Sequence, residues 1–189
     1  MRRLPALLAL LAAAVLAAGC GNARTPPPDA DTPGPPFGFS QREVDDAGLT
    51  LQVPNGWRVA EGAPPQVLSS STGTAVLSVW RYPRSEPLPS TKAELKAALD
   101  NLTDAAKARD PGLRVRDSEV TEIDDRPAVE IVAKGTIADR ERVVHSVHVY
   151  AFGAEYVIDA YARPDDFKRV DEEVFEEVLD SIELSEPMA

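Results

Sequence analysis

Residues 142–162 read Arg142-Val143-Val144-His145-Ser146-Val147-His148-Val149-Tyr150-Ala151-Phe152-Gly153-Ala154-Glu155-Tyr156-Val157-Ile158-Asp159-Ala160-Tyr161-Ala162. β-branched and aromatic residues dominate on both sides of a two-residue break at Gly153-Ala154, which predicts two strands, Arg142 to Phe152 and Glu155 to Ala162, joined as a hairpin. Side chains alternate between the faces of a strand. Val143, His145, Val147 and Val149 therefore share one face, and Val144, Ser146, His148 and Tyr150 the other. Both faces are half apolar, so both are expected to be covered.

Working outward, Leu113 to Ile123 and Pro127 to Ile137 read as two more strands, and Asp124-Asp125-Arg126 supplies the tight connection between them. The four runs predict an antiparallel meander. Upstream, Leu49-Thr50-Leu51-Gln52-Val53 alternates as a strand. The turn Pro54-Asn55-Gly56 follows and delivers Trp57 and a short strand at Arg58-Val59. Gln66 to Ser70 and Thr74 to Tyr82 form a hairpin around Ser71-Thr72-Gly73. A tryptophan placed directly after a turn is expected to close the end of a core.

Two helices flank these strands. Ser90 to Ala108 opens with Thr91-Lys92-Ala93-Glu94, the pattern of a capping box, and continues with Leu95, Leu99, Leu102 and Ala106 at helical spacing. Asp110-Pro111-Gly112 ends it. The second helix starts at Pro164-Asp165-Asp166, with proline in the first turn and acids near the positive end of the helix dipole. Phe167, Val170, Val174, Val178 and Ile182 line one side, widened by Phe175 and Leu179. Asp171, Glu172, Glu173, Glu176 and Glu177 line the other, read as a solvated face. The fold expected is α+β: an antiparallel sheet of six to seven strands flanked by helices, an α/β/α sandwich.

The N-terminus carries a different signal. Arg2 and Arg3 precede an apolar run from Leu4 to Ala18, too short for a membrane-spanning helix and inside the range of a signal peptide. The run Leu16-Ala17-Ala18-Gly19-Cys20 resembles the lipobox of bacterial lipoproteins. That resemblance implies cleavage before Cys20, the only cysteine of the chain, and attachment of acyl chains to it. Residues 1–19 are read as signal peptide and 20–44 as lipidated cysteine and proline-rich tether. Residues 45–186 are read as a single folded domain. Six prolines between Gly21 and Pro36 favour an extended spacer reaching up to about 50 Å at ~3.1 Å per residue.

Two of the 20 basic residues and none of the 31 acidic ones lie within residues 1–19, leaving 18 basic against 31 acidic and a formal charge of −13. A chain this acidic is poorly suited to nucleic acid or to electrostatic binding of anionic lipid. A single cysteine permits no disulfide within the chain.

The sequence carries few residues in chemically recognisable patterns. His145 and His148, three apart on a strand, point to opposite faces and cannot share a metal or proton relay. No Gly-x-Ser-x-Gly elbow, Gly-x-Gly-x-x-Gly or phosphate loop occurs. Asp124-Asp125 and Asp165-Asp166 lack the ligand ladder of a calcium loop and read as a turn and a helix start. No catalytic residue, metal or cofactor is expected. Trp80, Arg81 and Tyr82, at a strand end before Pro83, form the candidate interaction patch, with partial burial and a stacked Arg81 as the other reading.

Taken together, the strand ending Val53-Pro54-Asn55-Gly56-Trp57, the opening Ile123-Asp124-Asp125-Arg126-Pro127-Ala128, and the hairpin Val149 to Tyr156 resemble the PsbP-like superfamily, including the LpqN-type lipoproteins of actinobacteria. Phe167 and the closing Asp180-Ser181-Ile182-Glu183-Leu184 belong to the same pattern, which spans Leu49 to Leu184. The resemblance implies an antiparallel sheet between helices and a non-catalytic role in binding or assembly. The function expected is that of a membrane-anchored extracytoplasmic lipoprotein, held to the cell membrane or an outer membrane through Cys20, whose domain meets an envelope protein. Carriage of a small apolar ligand or lipid is the alternative, with a hydrolase lacking a familiar motif behind it.

Overall fold

The computed structural model describes residues 31–188. The expected signal peptide, Cys20 and the expected tether up to residue 30 lie outside the described residues. In chain order the strands are β1 (Phe39–Val44), β2 (Leu49–Pro54), β3 (Arg58–Glu61), β4 (Gln66–Thr72) and β5 (Ala75–Pro83), followed by helix α1 (Lys92–Arg109). Then come β6 (Arg114–Ile123), β7 (Arg126–Ile137), β8 (Arg140–Ala151), β9 (Ala154–Ala162), helices α2 (Pro164–Val170) and α3 (Glu176–Asp180), and β10 (Glu183–Leu184).

β3 to β9 make a seven-stranded antiparallel sheet in the order β3-β4-β5-β9-β8-β7-β6, and β1-β2-β10 make a small second sheet. The β8–β9 hairpin sits near its middle. Phe152 and Gly153 both take positive φ, 48° and 65°, the backbone of a two-residue turn whose twist matches that of its strands. This turn sets Ala151 opposite Ala154 and, counting outward, Tyr150 opposite Glu155, His148 opposite Val157 and Ser146 opposite Asp159. Asp124 and Asp125, at φ 50° and 56°, make the same kind of turn between β6 and β7.

One face of the large sheet is covered over most of its width. Leu77, Val79, Val147, Val149, Tyr156 and Ile158 pack there against the C-terminal helices and the small sheet, forming the main core with Leu51, Val53, Val174 and Phe175. Trp57 closes the end of this core, buried with its ring edge-on to Phe175 at 6.4 Å. Between α2 and α3 the helix widens into one π turn over Asp171–Phe175. The apolar positions explain it: Val170, Val174, Val178 and Ile182 step by four, whereas an α-helix turns in 3.6 residues. A wide turn absorbs the drift and keeps the stripe on the sheet. All seven apolar residues expected on this helix are buried.

The other face is covered by α1. Thr91 and Glu94 form the capping box, each accepting from the other's backbone N–H. Leu95 and Leu99 pack on Val129, Ile131, Ala133 and Tyr150 of β7 and β8.

The folded unit begins ahead of Asp45, because Phe39–Val44 pairs with β2 along its whole length. Residues of the proline-rich stretch also dock on the domain. Thr74 N–H donates to the Asp31 carbonyl at 3.1 Å, Arg169 donates to the Pro33 carbonyl at 2.9 Å, and Pro33 is buried. Among the described residues no helix is long and apolar enough to cross a membrane.

Phe175 is fully buried between Trp57 and Phe167. Phe175→Ala is expected to cost about 3–5 kcal/mol in urea unfolding, while Glu172→Ala on the exposed side stays within about 0.5 kcal/mol.

Candidate functional site

α1 lies over the β6–β7 side of the sheet, and the face of β5, β9 and β8 beside it is left open. The result is a cleft of ≈ 850 Å³, within the range that holds a small molecule or a peptide side chain. Trp80 and Tyr82 from β5, Leu102 and Arg109 from α1, and Val144 and Val157 from the floor line it.

A chain of polar side chains crosses the floor. His148 Nδ1 lies 2.7 Å from Glu155 Oε1, so that N–H donates to the carboxylate. His148 Nε2 lies 3.3 Å from Ser146 Oγ. The Ser146 hydroxyl donates to Asp159 Oδ1 at 2.5 Å. Beyond Glu155, Arg84 donates to its second carboxylate oxygen. Strand register assembles this set: Ser146 and His148 alternate on one face of β8, Asp159 is directly opposite Ser146, and Glu155 is diagonal to His148.

The electrostatics divide the two acids. Burial pushes Glu155 up, but hydrogen bonds from His148 and Arg84 outweigh it and hold the carboxyl below the usual range. Burial pushes Asp159 up, and the bond from Ser146 and the charges of His148 and Arg109 oppose it only in part. Glu155 is thus held as the anion, and Asp159 takes up a proton more readily than an ordinary aspartate.

His145 points the other way, as its strand position requires. Nδ1 lies 2.8 Å from Asp171 Oδ1 on the π turn and Nε2 lies 2.9 Å from Glu130 Oε1 on β7. Burial lowers its pKa, yet the two carboxylates more than reverse this and raise it to about 9. It ties the C-terminal helix to the sheet as a buried imidazolium, a structural role. Asp171 consequently departs from the solvated face read for that helix, at 17 % side-chain exposure.

The expected patch divides between two faces. Trp80 and Tyr82 stand together on the cleft wall, and Tyr82 is 37 % exposed. Arg81 lies on the opposite face, stacked over the Tyr156 ring at 5.7 Å and donating through Nε to its hydroxyl at 3.2 Å. It borders a second cavity of ≈ 470 Å³ beside Pro64 and Pro65. Sequence reasoning missed the Ser146–His148–Glu155–Asp159 set: a turn at Gly153-Ala154 would pair Ser146 with Tyr161, whereas the observed turn at Phe152-Gly153 pairs it with Asp159. Among the described residues, no group of three or more His, Cys, Asp or Glu is placed to hold a metal. Cys20 lies outside the described residues.

Compared by sequence, the chain matches no protein-family model and none of the curated proteins. Compared by structure, it is similar to the cyanobacterial PsbP (CyanoP) of Synechocystis sp. PCC 6803, with TM-score 0.57 and 15% identity over 78% of this chain and 92% of that one. It is also similar to the Ran-binding protein Mog1p of Saccharomyces cerevisiae, with TM-score 0.54 and 9% identity over 79% and 96%. LpqN of Mycobacterium tuberculosis, described as involved in cell envelope biogenesis, aligns at TM-score 0.47 and 14% identity over 78% and 91%. The fold is PsbP-like, an α+β architecture of antiparallel sheet and helices.

The raised pKa of His145 makes a stability prediction. A group whose folded pKa exceeds its unfolded value stabilises fully below the unfolded one, here 6.5, and loses that contribution as pH rises through about 9. Unfolding free energy of the wild type is expected to fall by on the order of 2 kcal/mol between those limits. In His145→Gln that decline is expected to disappear, as read by urea denaturation at stepped pH.

Proposed function

We propose that the chain is an extracytoplasmic lipoprotein, anchored to the membrane through acylated Cys20, whose PsbP-like domain is a binding module for another envelope protein. The anchor is supported by the basic start, the short apolar run and the small residues that precede the single cysteine. Because Asp31 and Pro33 dock on the domain, a spacer would end before Asp31. This is shorter than a free tether up to Pro36 would allow.

One observation carries the binding reading: the sheet face beside α1 is uncovered, and Trp80 and Tyr82 flank the cleft that results. Aromatic side chains beside a concavity are the usual anchors of an interface. Mog1p, built on a similar fold, is a Ran-binding protein, so this architecture serves protein recognition elsewhere. The width of the cleft and its apolar wall also favour a second reading, an amphiphilic small ligand held between Trp80, Val157 and Leu102.

Metabolic labelling with an alkynyl fatty acid is expected to tag the wild type and not Cys20→Ala. A tag that persists in the variant contradicts the anchor. A photo-crosslinking residue at Tyr82 is expected to capture one reproducible envelope protein that the same residue at Asp104, on α1, does not. Equal capture from both positions contradicts the binding face.

A further inference from the structure

Beyond binding, the geometry points to Ser146 as a nucleophile for carboxylic esters, with His148 as its general base and Glu155 as the residue that orients the imidazole. The distances are those of a nucleophile, base and orienting acid in series: 3.3 Å from Ser146 Oγ to His148 Nε2, and 2.7 Å from His148 Nδ1 to Glu155 Oε1. Arg84 holds the far side of Glu155, which keeps the acid ionised and aimed at Nδ1. That contact fixes the tautomer that leaves Nε2 free to accept a proton.

His145 is an internal control on the same strand. Both of its ring nitrogens face carboxylates and it sits against the C-terminal helix. His148 faces one carboxylate and one hydroxyl, and it lines an open cleft.

The reaction is balanced by groups in the cleft and by water. Ser146 Oγ bonds to the ester carbonyl carbon as its proton passes to His148 Nε2. The bond from that carbon to the alkoxy oxygen breaks, and the alcohol departs with the proton. Water then adds to the acyl-serine, giving its proton to His148. The carboxylic acid leaves, and Ser146 recovers its hydrogen. Val144, Val157 and Leu102 provide apolar surface for the acyl chain. Arg109 lines the same cleft near Asp159 and is the positive charge available to an oxyanion.

Asp159 decides which way the serine hydrogen points. As an anion it accepts that hydrogen and Ser146 is held inactive. When neutral it donates to Ser146 Oγ, and the serine hydrogen is free for His148. Asp159→Asn imitates the neutral acid with an amide donor in the same place.

The full-length chain in detergent, incubated with a fluorophosphonate probe and digested for mass spectrometry, tests this directly. The expected result is an adduct on Ser146 and none in Ser146→Ala. The rate should fall at least about 100-fold in His148→Gln and rise in Asp159→Asn, which releases the serine hydrogen from its bond to the carboxylate. Circular dichroism identifies any variant that has lost its fold, and the wild-type arm stands without the variants. No adduct on Ser146 in the folded wild type overturns the proposal, as does labelling that His148→Gln leaves unchanged.

Discussion

The register of the β8–β9 hairpin is the constraint on which the rest depends. Phe152 and Gly153 accept positive φ, so the chain reverses in two residues and every cross-strand pair is then set by counting. A strand alternates with a period of two, so a slip of one residue would exchange the faces. Tyr156 and Ile158 would leave the core, and Glu155 and Asp159 would enter it. The cost of burying two carboxylates without partners, added to the loss of packed apolar area, makes that alternative prohibitive. The same count that seals the core also delivers Ser146, His148, Glu155 and Asp159 to one place on the opposite face.

Why that opposite face stays half open follows from dimensions. Strands lie about 4.8 Å apart, so seven span nearly 30 Å, while a helix with its side chains is about 10–12 Å wide. One helix covers two strands and the margin of a third. α1 takes β7 and β6, with Leu95 and Leu99 over Val129 and Ile131. The closed face has a larger cover, in which the C-terminal helices and the β1-β2-β10 sheet share the width. An uncovered sheet face must be either polar or a site. Here it holds aromatic side chains on its wall and a hydrogen-bonded row of charged groups on its floor, in which each group has a partner of opposite kind. This is the condition under which buried polar groups are tolerated.

Much of this architecture is legible in the sequence where the signal is local. The Thr91 and Glu94 cap, the Pro164 helix start, and the alternation from Val143 to Tyr150 each announce an element within a few residues. β1 is not legible: Ser40, Gln41, Arg42 and Glu43 carry no apolar alternation, because the strand is exposed along its middle and held by backbone pairing to β2. β10 is two residues long and exists only because β2 has a free edge. The π turn is half legible, since steps of four at Val170, Val174 and Val178 mark a drift without saying where it is absorbed. Trp80, Arg81 and Tyr82 look like one patch in the sequence and are two, because alternation sends Arg81 to Tyr156 and its neighbours to the cleft. The polar row was illegible for a related reason. Its four members belong to two strands, and no spacing motif encodes a pairing.

Interstrand nuclear Overhauser contacts in the isotopically labelled protein measure this register directly. Contacts are expected between the backbones of Ser146 and Asp159, His148 and Val157, and Tyr150 and Glu155. Contacts displaced by one residue, pairing Ser146 with Ile158 or Ala160, would turn Glu155 and Asp159 away from Ser146 and His148 and contradict the register.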